Sequence, residues 1–227
     1  MTGKVQVGVA IAVPTLALVV LGSILWLNRP FQLELAYYRT SLADRTEAQR
    51  HNIRQAAKAL DRVVIEPGET FSFNQLVGPR TTVRGYREAP AYMERDLVKS
   101  IGGGICQVSS TVYNAAALAG LSIVERHPHS KRVASVSPGR DATVWYGMAD
   151  LKFRNTTLDP IQLFARASNE ALLVSVIGRS KADREFYIRT EPLNSMSGVL
   201  QFRTVRVITL ANQQTGLELL SLDSYLR

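Results

Sequence analysis

The chain has 227 residues, 46% of them apolar and 20% charged, with no low-complexity tract and no internal repeat, so a largely disordered chain is excluded. Its 27 Lys and Arg against 19 Asp and Glu leave a net charge of +8, which suits an acidic neighbour such as anionic lipid headgroups or wall polymers. No run of five basic residues and no nucleic-acid motif accompanies that charge, so nucleic acid is not expected as a partner. A single cysteine, Cys106, excludes an intrachain disulfide.

In chain order, the first feature is Val7 to Leu27, an uncharged and almost wholly apolar stretch of 21 residues between Lys4 and Arg29. At about 1.5 Å per residue a helix of this length crosses a hydrocarbon core of roughly 30 Å. Trp26 stands where an interfacial aromatic is favoured, and Pro14 is tolerable in a membrane helix. A cleaved signal peptide ending near Val20-Leu21-Gly22 is the rival. The apolar run continues through Ile24 to Leu27, so an uncleaved single-pass anchor is expected, with the domain outside the cytoplasm.

Phe31 to Arg39 reads as a short strand. Ser41 or Asp44 can cap a helix from Thr46 to Asp61, whose Ile53, Ala56, Ala57 and Leu60 recur at helical spacing. Val63 to Ile65 reads as a strand, Glu66-Pro67-Gly68-Glu69 as a turn, and Phe71-Ser72-Phe73 as a further strand. Ala89 to Met93 and Asp96 to Lys99 form a possible hairpin across Glu94-Arg95. The turn Gly102-Gly103-Gly104 opens a helix to Ala119, with Val108, Val112, Ala115, Ala116 and Ala119 as its buried stripe and Gly120 as its stop. Strands are expected at 121–125, 132–136, 142–146, 151–154, 161–167, 172–177 and 185–189, with a further strand-like run at 199–210.

The chemistry concentrates at Cys106. A cysteine in the first turn of a helix meets unpaired N–H groups and the positive end of the helix dipole, both of which favour thiolate. A nucleophilic thiol also needs a base and a group that orients it. His127 and His129 follow at the end of a predicted strand, and Asp141 precedes another. A Cys on a helix N-terminus with His and Asp on later strands is the layout of papain-like and transglutaminase-like thiol enzymes, an analogy of arrangement. The alternative is that Cys106 packs under the glycine turn, His127 and His129 bond a loop, and Asp141 caps a turn. No second close Cys or His pair completes a zinc-ligand pattern, so neither metal nor cofactor is expected.

Several segments, in order, carry a family resemblance: Asn52-Ile53-Arg54-Gln55-Ala56-Ala57, Pro67-Gly68-Glu69-Thr70-Phe71-Ser72-Phe73-Asn74, Val77-Gly78-Pro79-Arg80-Thr81, Arg84-Gly85-Tyr86 and Glu88-Ala89-Pro90. Further on come Gly102 through Thr111, Tyr113-Asn114-Ala115, Arg126-His127, His129-Ser130, Gly139 through Val144 and Asp150-Leu151-Lys152-Phe153. From about Tyr38 to Gly178 the chain resembles the VanW-like family, named from vancomycin-resistance gene clusters. The resemblance implies a cell-envelope setting, with peptidoglycan or an anionic envelope polymer as partner. Members often carry an upstream peptidoglycan-binding region, and none is expected here. The segment from Ser180 onward does not resemble the family.

The resulting expectation is an α+β protein with a mostly antiparallel sheet and a Cys-bearing helix, preceded by one transmembrane helix. Its parts are an anchor at 1–30, a VanW-like domain at 31–179 and an extension of open role at 180–227. Cys106, His129 and Asp141 are the candidate catalytic set. Gly103 and Gly104 are oxyanion donors, Gln107, Ser109, Ser110 and Thr111 are polar neighbours of the thiol, and Arg80, Arg126 and His127 are substrate-binding candidates. Two functions fit: a thiol-dependent enzyme acting on an amide of a wall peptide, or a non-catalytic wall- or partner-binding module with Cys106 structural. A sulfur within reach of an imidazole in an open cleft favours the first, and a sulfur sealed beneath the turn favours the second.

Overall fold

The computed structural model describes residues 31–93, 96–180, 183–193, 198–210 and 213–227. Among them no helix is long and apolar enough to cross a membrane. The expected fold and localisation are corrected accordingly: the described chain is mostly antiparallel sheet without a membrane helix, and a single-pass membrane protein is not supported. The stretch Val7 to Leu27, on which that expectation stood, lies outside the described residues.

A four-stranded sheet joins early and late strands in the order β1-β9-β8-β2, from β1 (Leu33–Ser41), β2 (Val64–Ile65), β8 (Ile161–Ala167) and β9 (Ala171–Gly178), every pair antiparallel. Its buried residues include Ile161, Leu163, Leu172, Val174 and Val176. Helix α1 (Glu47–Leu60) starts at Thr46 rather than at Ser41 or Asp44. Thr46 Oγ1 accepts from the Gln49 amide, and the Gln49 side chain accepts from the Thr46 amide, so the two residues close a capping box. Its apolar stripe of Ile53, Ala56, Ala57 and Leu60 packs over β8.

Two smaller sheets follow. β3 (Thr70–Ser72), β7 (Lys152–Arg154) and β6 (Ser122–Glu125) form one, in the order β3-β7-β6. Phe71 and Phe153 are directly paired across it, their rings stacked at 4.5 Å. Phe73 is not a strand residue: Ser72 caps a short helix α2 (Phe73–Val77) through its hydroxyl, which accepts from the Gln75 amide. β4 (Glu88–Met93) and β5 (Asp96–Ile101) pair as a hairpin.

Helix α3 (Ile105–Leu118) is the centre of the molecule, lying against β1, β9 and α1. Nearly all of its residues are buried, with Val108, Val112, Ala115 and Ala116 at 0% exposure. The alanines let it sit this deep, because their small side chains admit neighbouring backbone closely. Residues 132–136 and 142–146 are not strands. The amides in the second segment find other acceptors: Ala142 donates to Ser110 Oγ, Thr143 to the His127 carbonyl and Trp145 to the Ala149 carbonyl.

The C-terminal part forms a third antiparallel sheet, β10-β11-β12, from Arg184–Pro192, Val199–Leu210 and Gln213–Leu226. It docks on the C-terminal end of α3. Phe186 packs on Gly120, where a Cβ would come within 2.4 Å of the ring. Arg206, its side chain 5% exposed, donates to the carbonyls of Ala117 and Leu121 and pairs with Glu218. A cation at a helix C-terminus answers both the unpaired carbonyls and the dipole.

Candidate active site

The glycine turn is shaped by what crosses it. At Gly103 a Cβ would lie 2.5 Å from the carbonyl oxygens of both Ala89 and Pro90, so β4 runs across this residue at a distance only glycine permits. Asn52, fully buried on α1, ties the crossing together: it donates to the Gly103 and Arg87 carbonyls and accepts from the Arg87 amide. Gly104 is the N-cap of α3 and offers no side chain to satisfy the first amides. The Gly103 amide is taken by the Ser100 carbonyl at 3.2 Å, whereas those of Gly104 and Cys106 make no backbone hydrogen bond among the described residues.

Cys106 is therefore in the first turn of a buried helix, half-buried itself, on the wall of a cavity of about 600 Å³. The same cavity is lined by His129, Arg80, Gln107, the three glycines and Val144, with exposed Trp145 and Tyr146 at its rim. The polar face of α3 sets the opposite strand of chain. Ser109 and Ser110 bond the Ala142 carbonyl and amide at 2.6 and 2.9 Å. Asn114 donates to the Arg140 carbonyl and accepts from the Arg140 guanidinium. Asp141 lies between these anchored neighbours.

Asp141 is 1% exposed, and four donors converge on its carboxylate. Oδ2 accepts from the His129 amide at 2.7 Å and from His129 Nδ1 at 2.6 Å. Oδ1 accepts from Arg126 Nη2 at 2.9 Å and from the Tyr225 hydroxyl at 2.5 Å. With Nδ1–H donating to the carboxylate, Nε2 is the nitrogen left free of Asp141, and His129 lines the same cavity as Cys106, whose thiol donates to the Val144 carbonyl at 3.7 Å. Burial pushes His129 down, but Asp141 and the sulfur outweigh it and hold the imidazole up at about 9. Burial pushes the Cys106 thiol up, yet His129, then the Val144 backbone and the nearby Arg80, hold it below its usual value. For Asp141 too, burial acts upward, and His129, Arg126 and Tyr225 hold it below the ordinary carboxylate range. The pair is thus biased toward thiolate and imidazolium, a state in which the sulfur is nucleophilic and the imidazolium can protonate a leaving group.

The other candidates divide clearly. Arg126 is not a cavity residue: its side chain is 5% exposed and held between Asp141 and Asp223, with Nε on the Asp141 carbonyl. His127 is exposed and turned to Glu125 at 3.0 Å, away from the sulfur. Gln107 lines the cavity, but its amide is committed to Thr40 Oγ1 and the Ser41 carbonyl and accepts from Arg45. Thr111 bonds the Gln107 carbonyl one turn back. No group of His, Cys, Asp and Glu able to hold a metal occurs among the described residues.

Two contributors were not found in the sequence, Tyr225 and Asp223. The Tyr225 hydroxyl, fully buried, accepts from the Gly139 amide at 2.7 Å while donating to Asp141. Asp223 neutralises the far side of Arg126. The only available signal is the alternation Asp223-Ser224-Tyr225 near the end of a strand, which carries no indication of its partner 84 residues away.

The fold and site bring a cysteine, a histidine and an aspartate together where the first turn of α3 meets the loop segments around His129 and Asp141. The VanW like protein family model matches residues 48–177, more than half of the chain, and the chain belongs to that family. It is 44% identical over 143 residues to the "Uncharacterized protein YoaR" of Bacillus subtilis (strain 168), covering 63% of this chain and 47% of that protein. It is 32% identical over 139 residues to the "Vancomycin B-type resistance protein VanW" of Enterococcus faecalis (strain ATCC 700802 / V583), covering 59% and 49%. The chain thus spans about half the length of these curated relatives. No solved structure matches.

Proposed function

We propose that the protein is a thiol-dependent acyl-transfer enzyme acting on an amide bond of a cell-envelope peptide, as a hydrolase or a transpeptidase. The observation that carries this reading is that Cys106 and His129 line one open cavity, with His129 Nδ1 fixed 2.6 Å from the buried carboxylate of Asp141. In the step, Cys106 Sγ attacks the amide carbonyl carbon, and the proton held on His129 passes to the leaving amine as the C–N bond breaks. The thioester formed is then cleaved by water or by a second amine, which returns the sulfur and the proton. The unbonded amides of Gly104 and Cys106 are suited to receive the oxyanion, and Gly103, whose amide is already paired, is not. The envelope setting is supported by family membership and by the vancomycin-resistance name of one relative.

The test is incubation of the full chain with isolated wall peptides, read by mass spectrometry. New cleavage or exchange products that vanish with Cys106→Ala are expected. Products that persist in Cys106→Ala would remove the cysteine from the chemistry, and none from any envelope peptide, with the folded thiol inert to alkylation, would leave a binding module with a structural cysteine.

A further inference from the structure

Arg80, half-buried on the cavity wall, stands apart from Arg126 and Arg206. Arg126 meets two carboxylates and Arg206 meets Glu218, but Arg80 has no carboxylate within ion-pair distance among the described residues. Its Nη1 donates to Asn74 Oδ1 at 2.7 Å and to the Gly78 carbonyl at 3.1 Å, and the guanidinium lies 5.5 Å over the Phe73 ring. Its Nη2 is buried with no hydrogen-bond partner. A buried charged donor left unpaired is costly, and native proteins rarely keep one without a use. The turn is built around this side chain. At Gly102 a Cβ would come within 2.8 Å of Arg80 Cβ, so the first glycine of the triplet makes room for the arginine beside the thiol. Asp44, the carboxylate on the cavity wall, does not satisfy it: it is exposed to solvent and makes no ion pair with Arg80 among the described residues.

We infer that Arg80 is a carboxylate-binding residue of this cavity, so that the acyl substrate of Cys106 carries a carboxylate which the Arg80 guanidinium receives beside the sulfur. The inference rests on the thiol reading given above and adds the substrate class to it. Burial holds the Arg80 guanidinium below its ordinary value, with the sulfur only partly offsetting this, as befits a cation awaiting a counter-charge. A charge-assisted hydrogen bond in such a site orients the substrate as well as binding it.

The experiment compares two alkylating reagents on the full chain, anionic iodoacetate and neutral iodoacetamide. Both attack the same thiolate, so the ratio of their rates cancels the thiolate fraction and reports only how the cavity treats the carboxylate. In the folded protein the iodoacetate-to-iodoacetamide ratio should exceed that of the same thiol in the urea-unfolded chain. Arg80→Gln should lower the folded ratio by about tenfold, equivalent to ~1.4 kcal/mol. Arg80→Lys, which keeps the charge and loses the planar fork, should fall between them. A folded ratio no higher than the unfolded one overturns the inference without any variant. A high ratio untouched by Arg80→Gln and Arg80→Lys also overturns it and assigns the preference to His129. In both cases a reactive thiol leaves the proposed function standing. A folded thiol inert to both reagents overturns the two together.

Discussion

At the scale of single residues, the site rests on one buried carboxylate with four donors. Asp141 fixes both the tautomer and the orientation of His129. Iodoacetamide labelling of Cys106 should be fast already near neutral pH, where an ordinary thiol with a pKa of about 8.5 is mostly protonated. It should slow as the pH falls through the depressed thiol value. His129→Ala should move the labelling profile to higher pH and Asp141→Asn should move it less, while His127→Ala should leave it in place. Equal effects of the two histidines would undo the assignment. The stability signs follow from the same shifts. The raised His129 contributes stability that is fully present below its unfolded pKa of about 6.5, and that is lost as pH rises through about 9. The depressed Asp141 contributes stability present above its unfolded value of about 3.9, lost as pH falls through its lower folded value. Tyr225 is a positioning residue. Tyr225→Phe removes a donor from Asp141 and an acceptor from the Gly139 amide. A cost of about 1–3 kcal/mol in urea unfolding is expected. The Cys106 labelling profile should also shift upward, which a loss of packing alone would not produce.

At the scale of elements, α3 is both scaffold and site: one face is core, and the Ser109, Ser110 and Asn114 face grips residues 140–142. Because Ala116 is at 0% exposure in close-packed surroundings, Ala116→Leu should overpack the core and cost about 1–3 kcal/mol. An unchanged thermal midpoint would contradict that burial. Periodicity in the sequence located α1 and α3, since each carries an unbroken apolar stripe, and the strands at β8 and β9 likewise show in runs of β-branched and apolar residues. Elements whose hydrogen bonds go elsewhere were not legible. Phe71-Ser72-Phe73 alternates like a strand, yet Ser72 caps a helix there. Residues 142–146 have strand composition, but their amides bond a serine, a loop carbonyl and a tight turn. The Cys–His–Asp set was readable from residue type and from the helix start. Arg126 was misread as a substrate arginine because its partners, Asp141 and Asp223, are 15 and 97 residues away.

At the scale of the whole molecule, the segment beyond the family match is part of the architecture of the site. The β10-β11-β12 sheet grips α3 at its C-terminal end through Arg206 and reaches Asp141 through Tyr225. Arg206→Met should leave the Ala117 and Leu121 carbonyls without their donor and loosen the sheet, at a cost of about 1–3 kcal/mol. If the sheet acts as one body, this variant should shift the Cys106 labelling profile in the same direction as Tyr225→Phe, though Arg206 touches neither Cys106 nor His129. A destabilised Arg206→Met protein with an unshifted profile would show that the sheet holds the fold without tuning the thiol.

The hydrogen bond from Tyr225 to Asp141 also has a meaning in time. It joins positions 84 apart, and contacts of that separation form after local ones because closing the intervening loop is entropically costly. Chain synthesis runs from the N-terminus, so Cys106 and its helix emerge and can fold well before β12 exists. The carboxylate that orients the base therefore receives its last donor when one of the last strands pairs. On refolding from urea, the helical signal should return in an early phase and fast alkylation of Cys106 in a later one, so on the proposed reading the sulfur stays unactivated while the chain is unfinished.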